Sequence, residues 1–370
     1  MRRTLLIAVL QLVHIASWAA YYALTRELYS GEPGFLVRLA AAETLPTAVG
    51  LLGGAVAERR GYRTALALGL LEGLFLASAG VFIHRPLLLW ASALLASLFW
   101  SMAGPQVLGY SLTITRGSGS RLGVVLAGGT LGWSLGGSVA PLAARVLGPG
   151  RVVAAGGAAV VLVYLVLALL SGGTRPARRS GEDASRSTLA AMMLLSSLVF
   201  TGTEVIGSVY MAKLSVEAGN LGYAAANAAT GLMAAAARPL AGRVIDRAGS
   251  GLVLAASLAA YTVYTLLLHS LHGLGFVAVW LIPLYPFLDT SLYKLAASLL
   301  GDAMGTAAVI SGYSLAGAVL LAASQRGLGV WGYTLLAVTA FQLALALAVL
   351  LAGRAGELRL LASALLKGGW

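Results

Sequence analysis

The sequence is a succession of long apolar segments separated by short polar ones, and this pattern restricts the fold more than any other feature. Each segment has roughly the 20 residues that an α-helix needs to cross the apolar part of a bilayer. None shows the two-residue alternation of a membrane β-barrel, so the sequence predicts an all-α membrane protein with twelve transmembrane helices. We name the segments spans 1 to 12: 4–24, 34–57, 64–83, 87–113, 122–146, 151–171, 188–212, 221–244, 251–269, 274–297, 303–325 and 330–352.

The composition excludes most other classes of protein. Of the 370 residues, 59% are hydrophobic and 10% are charged, whereas a soluble domain has about 25% charged residues. The absence of cysteine excludes a disulfide-bonded secreted scaffold. The net charge of +12 does not indicate nucleic-acid binding, because the basic residues lie in short gaps between apolar segments. We therefore expect the lipid bilayer as the surroundings and no nucleic acid as a partner.

The distribution of lysine and arginine predicts the orientation. If the N-terminus is cytoplasmic, sixteen of the 25 basic residues fall on that side and six on the other. Cytoplasmic loops carry the excess of basic residues, so we expect an integral plasma-membrane protein with both termini in the cytoplasm.

A polar segment at 172–187, rich in Gly, Ser and Arg, divides the spans six and six. Such a composition is typical of a flexible linker. The predicted domains are an N-terminal six-helix bundle (1–171), a cytoplasmic linker (172–187), a C-terminal six-helix bundle (188–352) and a cytoplasmic tail (353–370).

The two halves contain an internal repeat. The loop after span 2 reads GAVAERRG from Gly54 to Gly61, and the loop after span 8 reads GRVIDRAG from Gly242 to Gly249. Further along, span 5 reads GWSLGGSV (132–139) and span 11 reads GYSLAGAV (312–319), with five of eight positions identical. Two shared segments in the same order predict a duplicated six-helix unit in parallel orientation.

The two loops resemble the signature of the major facilitator superfamily, G-x-L-x-D-R-x-G-R-(K/R), which lies between helices 2 and 3 and again between helices 8 and 9. The resemblance covers essentially the whole chain, although Glu58 replaces the usual Asp and Tyr62 replaces the first basic residue after Gly61. It implies two six-helix bundles related by a pseudo-two-fold axis. It also implies that the loops close the cytoplasmic side of the outward-facing state. The implied gating residues are Gly54, Glu58, Arg59, Gly61, Arg63, Gly242, Asp246, Arg247 and Gly249.

Span 5 carries glycine at every fourth position, at Gly128, Gly132 and Gly136. Glycine at this spacing lets another helix approach closely. The family resemblance implies that helices 5 and 11 lie at the junction between the halves, so we expect this glycine face at the junction.

Ionisable residues inside the spans are candidates for function, because their burial in a bilayer is costly. The acids are Glu43, Glu72, Glu204 and Asp289, and the bases are Arg38, Arg238 and Lys294. In the family, helices 1, 4, 7 and 10 line the cavity, which favours Glu204 and Asp289. The predicted residues for proton coupling or substrate binding are Glu204, Asp289, Glu43 and Lys294; the alternative role is a structural ion pair, which we favour for Glu72.

Two details concern span 10. Pro283 and Pro286 precede Asp289 and predict a distorted helix. Lys294 has two alternatives, since it could pair with Asp289 or extend towards the cytoplasmic side.

Amphipathic side chains on spans 1, 4 and 10 are candidates for lining a small-molecule cavity, since such cavities combine aromatic rings with a few polar groups. Ordinary contacts between helices are the alternative. The candidates are His14, Trp18, Tyr21, Trp100, Gln106 and Tyr285.

No motif predicts catalysis. The G-x-S-x-G sequence at 132–136 lies inside an apolar segment rather than at a strand–turn–helix. The chain has no Walker A motif, and its four histidines have no metal-ligand spacing. We therefore expect no enzyme, no cofactor and no metal.

The sequence predicts a secondary active transporter of a small organic solute that works by alternating access. The interior carboxyls favour protons as the coupling ion, and the aromatic candidates favour export of an amphipathic compound. The alternatives are a passive facilitator with structural carboxyls and a membrane receptor or scaffold that does not transport. A monomer suffices, because one chain contains both halves.

Overall fold

The computed structural model describes residues 2–176 and 185–354, and within them all regular structure is helical. Eleven helices of the described residues are long and apolar enough to cross a membrane. The twelfth crossing, span 8, belongs to a 38-residue helix that also continues span 7. This confirms the expected all-α membrane architecture.

The N-terminal bundle contains spans 1 to 6. Span 2 is interrupted by a 3-10 turn and span 3 by a break at Leu68. Pro46, which lacks an amide hydrogen, lies in the 3-10 turn and accounts for the first interruption. The helices are Arg2–Leu28, Pro33–Thr44 with Gly50–Arg60 beyond the turn Leu45–Val49, Tyr62–Ala67 with Gly69–Val81, Pro86–Ile114, Gly119–Leu147 and Pro149–Ser171.

The C-terminal bundle contains spans 7 to 12. Span 10 is broken between Trp280 and Tyr285, where Pro283 and Pro286 lie, and this confirms the predicted distortion. The helices are Arg186–Val205 with the π-helical turn Ile206–Tyr210, Met211–Ala248, Ser250–Ser270, Gly273–Trp280 with Tyr285–Leu300, Asp302–Gln325 and Val330–Arg354.

The connection between spans 7 and 8 differs from the expectation. The pattern of apolar residues predicts a loop at 213–220, whereas the structure continues the helix from Met211 to Ala248. Alanine, the strongest helix former, supplies 13 of the 38 residues of this helix, although Gly219 and Asn220 within the expected loop do not favour helix. Hydropathy therefore located the end of the apolar segment but not the end of the helix.

The segment between the bundles defines one end of the molecule, which we call the linker end. There the carbonyl oxygen of Thr174 accepts a hydrogen bond from the Tyr62 amide at 3.2 Å. Ser185 caps span 7 by accepting from the Thr188 amide at 3.2 Å. The predicted linker lies partly, and the predicted tail almost wholly, outside the described residues, at 177–184 and 355–370.

The two repeated loops end their helices in the same way. Gly61 follows span 2 with a φ of 86°, and Gly249 follows span 8 with a φ of 94°. A left-handed backbone at this position favours glycine over any residue with a Cβ. The last glycine of each repeated segment is therefore required by the helix ending itself.

The glycine face of span 5 lies inside the N-terminal bundle, which corrects the expectation that it faces the junction. A Cβ on Gly128, Gly132 or Gly136 would lie 2.0 to 2.3 Å from a backbone oxygen of span 1. The partners are Ala8, Leu12 and Ala16. Four-residue spacing predicts a close helix contact but does not identify the neighbouring helix.

Candidate functional site between the two bundles

The bundles meet at the linker end through direct backbone contact. A Cβ on Gly242 of span 8 would lie 2.1 Å from the carbonyl oxygen of Gly119 at the start of span 5. A Cβ on Gly123 would lie 2.3 Å from the carbonyl oxygen of Arg238. Neither position has room for a side chain, so spans 5 and 8 lie as close together as two helices can.

Asp246, in the last turn of span 8, joins the bundles next to this contact. Its carboxylate accepts hydrogen bonds from the backbone amides of Gly119 at 2.7 Å and Ser120 at 3.0 Å, and it pairs with Lys294 of span 10. We call these four residues the latch. A carboxylate at a helix N-terminus is favourable because the first amides there have no partner within the helix.

The latch lowers the pKa of the Asp246 carboxyl. Partial burial raises this pKa, but the Lys294 ammonium and the two backbone amides outweigh it, and the net pKa lies below its ordinary value. Of the two alternatives for Lys294, the structure places it on Asp246, 48 residues away in the chain.

The first copy of the repeated loop has a different environment from the second. Gly54 lies buried against span 11, where a Cβ would be 2.8 Å from the Met304 sulfur. The charged gating candidates lie at the linker-end surface with exposed side chains: Glu58, Arg59, Arg63 and Arg247. Among the described contacts, Tyr62, Thr113 and Asp302 form a polar connection across the bundles on this side.

Tyr62 begins the polar connection on that side. Its buried hydroxyl lies 3.0 Å from the Thr113 hydroxyl, which donates to Asp302 at the start of span 11 at 2.8 Å. Gln106 lies about two helical turns before Thr113 on span 4. Its side-chain amide donates to the Ala303 carbonyl oxygen at 3.5 Å. Spans 3 and 4 therefore contact span 11 through neutral groups and one carboxylate.

Arg238 and Asp289 form a buried ion pair in the C-terminal bundle. The Arg238 Nη1 and Asp289 Oδ2 atoms are 2.7 Å apart, and the two residues are 3% and 8% exposed. Arg238 Nε also donates to the Thr130 hydroxyl of span 5 at 2.5 Å, across the bundle interface. The guanidinium lies 5.2 Å from the centre of the Tyr285 ring. Arg238 therefore connects an acid of one bundle to a hydroxyl of the other.

Glu204 lies in the last turn of span 7 before the π-helical turn Ile206–Tyr210. It is partly buried and accepts a hydrogen bond from the Tyr313 hydroxyl of span 11. Phe200 packs edge-to-face on the Tyr313 ring with centroids 4.7 Å apart. Single π-helical turns within helices are frequent at functional sites.

Further aromatic rings lie on spans 1, 5 and 10. Arg26 lies over the Tyr22 ring of span 1, 4.3 Å from its centre, and Arg238 lies over the Tyr285 ring of span 10. Trp133 of span 5 contacts Tyr22 with centroids 5.4 Å apart. Trp133 is 49% and Tyr285 41% exposed, so these rings are not packed away in a core.

Glu43 is paired rather than free. Both of its carboxylate oxygens bind Arg26, with one contact at 2.8 Å, and the Tyr21 hydroxyl donates to it at 2.8 Å. Tyr21 packs edge-to-face on Trp18, and Trp18 does so on Trp100. Three of the cavity candidates thus form one aromatic cluster beside the Glu43–Arg26 pair.

His14 and Glu72 lie together in the interior of the N-terminal bundle. His14 Nε2 is 2.6 Å from Glu72 Oε1, and the Trp18 indole donates to the same oxygen at 2.7 Å. Gln11 and Tyr164 complete the surroundings of His14, at 3.1 and 3.5 Å. The structure therefore places His14 between spans 1, 3 and 6, where it is 1% exposed, and not towards the other bundle.

Solved structures of membrane transport proteins resemble the whole chain. The E. coli fucose:proton symporter FucP matches 95% of this chain and 98% of its own, with a TM-score of 0.70 at 14% sequence identity. An MFS transporter structure, FucP in the outward conformation, matches 94% and 98%, with a TM-score of 0.69 at 16% identity. The human organic anion transporter MFSD10 matches 94% and 99%, with a TM-score of 0.71 at 18% identity.

The chain has the major facilitator superfamily fold. No protein-family model matches the sequence, and no curated protein matches it either. The major facilitator fold accounts for the parallel repeat, because each half of the chain supplies one bundle and one linker-end loop to a shared interface.

Within the major facilitator fold, several residues of the site were not found from the sequence. Thr130, Thr113 and Tyr22 carry no charge and look like ordinary helix residues. Arg26 is one of the six basic residues that the charge count places on the external side. Its long side chain nevertheless extends to Glu43 and binds it. For Tyr313 a signal existed, because the repeat aligns it with Trp133, and each of the two rings packs on another aromatic ring.

Proposed function

We propose that this protein is a secondary active transporter of a small organic solute, driven by protons and working by alternating access. The observation that carries the proposal is the bridge from Asp289 through Arg238 to Thr130. It connects a titratable group of one bundle directly to the contact between the bundles.

Protonation of Asp289 has a direct consequence in this geometry. A neutral Asp289 no longer attracts the Arg238 guanidinium. The hydrogen bond from Arg238 to Thr130 is then held less firmly. The loss of one charge from a buried pair is costly, so the proton state and the bundle contact depend on each other. This is the physical requirement for coupling proton binding to a change of access.

The latch supports alternating access. Its hydrogen bonds and the Asp246–Lys294 pair are partly exposed to solvent at the linker end, where water can replace them when the bundles separate. With the linker end in the cytoplasm, as the basic residues indicate, this conformation faces outward. The opposite state would break the latch and open that end.

The test is solute-dependent proton movement in proteoliposomes that contain a pH-sensitive dye. Pooled solutes are added to the wild type, Asp289→Asn and Glu204→Gln. We expect at least one pool to move protons with the wild type and the flux to fall about tenfold or more in Asp289→Asn. If labelled solutes equilibrate without proton movement, a passive facilitator replaces this proposal. If neither solute nor protons move with any pool, the transport proposal is wrong.

A further inference from the structure

An apolar groove of about 380 Å³ lies between spans 3 and 4 of the N-terminal bundle. Its walls include Leu71, Leu74 and Leu88, which are exposed although they lie within membrane-spanning helices, so the groove opens to the bilayer. From Phe82 to Leu71 it follows about three turns of span 3, roughly 16 Å along the helix axis. This length is close to the depth of one leaflet, since the whole hydrocarbon core is about 30 Å thick.

The two hydroxyl groups that line the groove already have partners. The Ser78 hydroxyl donates to the Phe75 carbonyl oxygen at 2.7 Å and lies 3.0 Å from the Ser92 hydroxyl. The Phe75 ring is stacked on Phe99, with centroids 5.8 Å apart and the planes at 7°. The groove therefore presents a hydrocarbon surface, which an acyl chain fits and a polar solute does not.

The end of the groove farthest from the linker end carries two basic side chains. Leu88 lines both the groove and a second hollow, which His84, Arg85, Pro86 and Leu87 form at the start of span 4. His84 and Arg85 are exposed, and no carboxylate of the described residues pairs with either. Arg85 directly precedes the helix, whose first backbone amides have no acceptor within it. An arginine beside such amides attracts a phosphate group.

The turn between spans 3 and 4 is held in place by its own contacts. The Tyr29 hydroxyl donates to the carbonyl oxygen of Ile83 at 2.8 Å, and the Tyr29 ring packs on Phe35 with centroids 4.5 Å apart. Within the turn, the Arg85 amide donates to the Phe82 carbonyl oxygen at 2.8 Å. The backbone that carries His84 and Arg85 is therefore fixed relative to the groove, so a ligand does not have to order it.

We propose that this surface binds one anionic phospholipid of the leaflet opposite the linker end. The phosphate lies at His84 and Arg85, and one acyl chain lies in the groove between spans 3 and 4. A soluble phosphate would leave the groove unfilled, and a zwitterionic lipid brings its own cation to the phosphate. The bound lipid contacts both helices and the turn that joins them, so it stabilises the N-terminal bundle whether or not the protein is transporting.

Two lipids with the same acyl chains and different headgroups test this proposal. The delipidated full chain in detergent is titrated with dioleoyl phosphatidylglycerol or dioleoyl phosphatidylcholine, and bound lipids are counted by native mass spectrometry. Arg85→Gln removes the charge, and Ala91→Trp fills the groove, which Ala91 lines. The matched controls are Arg326→Gln, at an exposed arginine after span 11, and Ala158→Trp, on an exposed position of span 6. Thermal unfolding verifies that each variant is folded, and Ala91→Phe replaces Ala91→Trp if the larger side chain prevents folding.

We expect the wild type to bind one phosphatidylglycerol about fivefold or more tightly than phosphatidylcholine, because a basic side chain near an anionic headgroup contributes a factor of this size. Arg85→Gln should remove the preference, and Ala91→Trp should weaken the binding of both lipids severalfold. Both controls should bind as the wild type does. Phosphatidylglycerol should also raise the unfolding temperature of the wild type more than that of either variant, since a ligand of the folded state stabilises it.

Several results would overturn the proposal. Equal affinity of the wild type for the two lipids, or an unchanged preference in Arg85→Gln, would remove the headgroup site. Unchanged binding in a folded groove-filling variant, or an equal loss in the control variants, would remove the groove as the place of the acyl chain. Displacement of phosphatidylglycerol by inorganic phosphate, with normal binding in Ala91→Trp, would assign the basic pair to a soluble anion instead.

Discussion

Asp246 of span 8 accepts a hydrogen bond from the backbone amide of Gly119, 2.7 Å away in the opposite bundle. The contact joins the last turn of span 8 to the first turn of span 5. Its strength depends on the negative charge of the carboxylate and on the first backbone amides of span 5, which have no acceptor within their own helix. Its removal should change the balance between conformations without unfolding either bundle.

Asp246→Asn should open the linker end. The variant loses the charge that holds two amides and Lys294, and for a partly exposed contact we expect a cost on the order of 1 kcal/mol. That cost changes the ratio of closed to open molecules about fivefold. The chain has no cysteine, so spin labels at Arg121→Cys and Arg243→Cys can report the distance by electron paramagnetic resonance. Lys294→Gln should shift the distance in the same direction; an unchanged distribution in both would show that the latch does not hold this end.

Acid should open the same end. The pKa of Asp246 is lowered in the closed conformation, so its contribution to closure is complete above the ordinary pKa of an aspartate. The contribution disappears as the pH falls through the lowered value. The same spin-label distance, measured during acid titration, should lengthen in the wild type. In Asp246→Asn this transition should be missing, and its persistence would assign the effect to another group.

Glycine-to-alanine changes in span 5 should separate close packing from intrinsic helix stability. Gly132→Ala places a methyl group 2.3 Å from the Leu12 carbonyl oxygen of span 1 and should lower stability by about 1–3 kcal/mol. Gly137→Ala has nothing within 4 Å and should leave stability unchanged or raise it by roughly 0.5–1 kcal/mol. Thermal unfolding in detergent compares the two. Equal effects would mean that spans 1 and 5 are not in close contact.

Arg238 and Asp289 should behave as a unit in a double-mutant cycle. Arg238→Met or Asp289→Leu alone leaves a buried charge without its partner and should cost about 3–5 kcal/mol. The double variant removes both charges, so its loss of stability should be well below the sum of the two single losses. Additive losses in thermal unfolding would show that the two residues do not interact.

Glu72→Gln should affect stability but not transport. Glu72 is fully buried in the N-terminal bundle with His14 and Trp18, so its loss should lower the unfolding temperature. The solute-dependent proton flux of each folded molecule should equal that of the wild type, in contrast to Glu204→Gln. A selective loss of flux at normal stability would instead make the His14–Glu72 pair part of the proton pathway.

The positions of the functional groups could be predicted from the sequence more readily than their partners. Glu204, Asp289 and Lys294 were visible because an ionisable residue interrupts an apolar segment. Their partners depend on how helices far apart in the chain are packed. Lys294 and Asp246 are 48 residues apart. Asp289 is only five residues from Lys294, but on the continuous helix Tyr285–Leu300 that separation directs the two side chains about 140° apart.

The repeat shows a similar division. The shared loop sequence predicted two equivalent helix endings, and Gly61 and Gly249 have matching backbone conformations. It did not predict that the second copy contacts the start of span 5 through Asp246, or that Tyr62 reaches Asp302 through Thr113 in the first half.

The backbone contact between Gly119 and Gly242 sets a fixed limit on how closely the two bundles approach at the linker end. No side chain lies between the two helix backbones at this point. No rotamer change there can therefore produce an intermediate distance between the helices. A displacement of about one ångström also removes both amides from the reach of Asp246, because a hydrogen bond tolerates little stretching. The linker end therefore has one closed geometry, so a change at this contact alters how often the end is closed and not how far it closes.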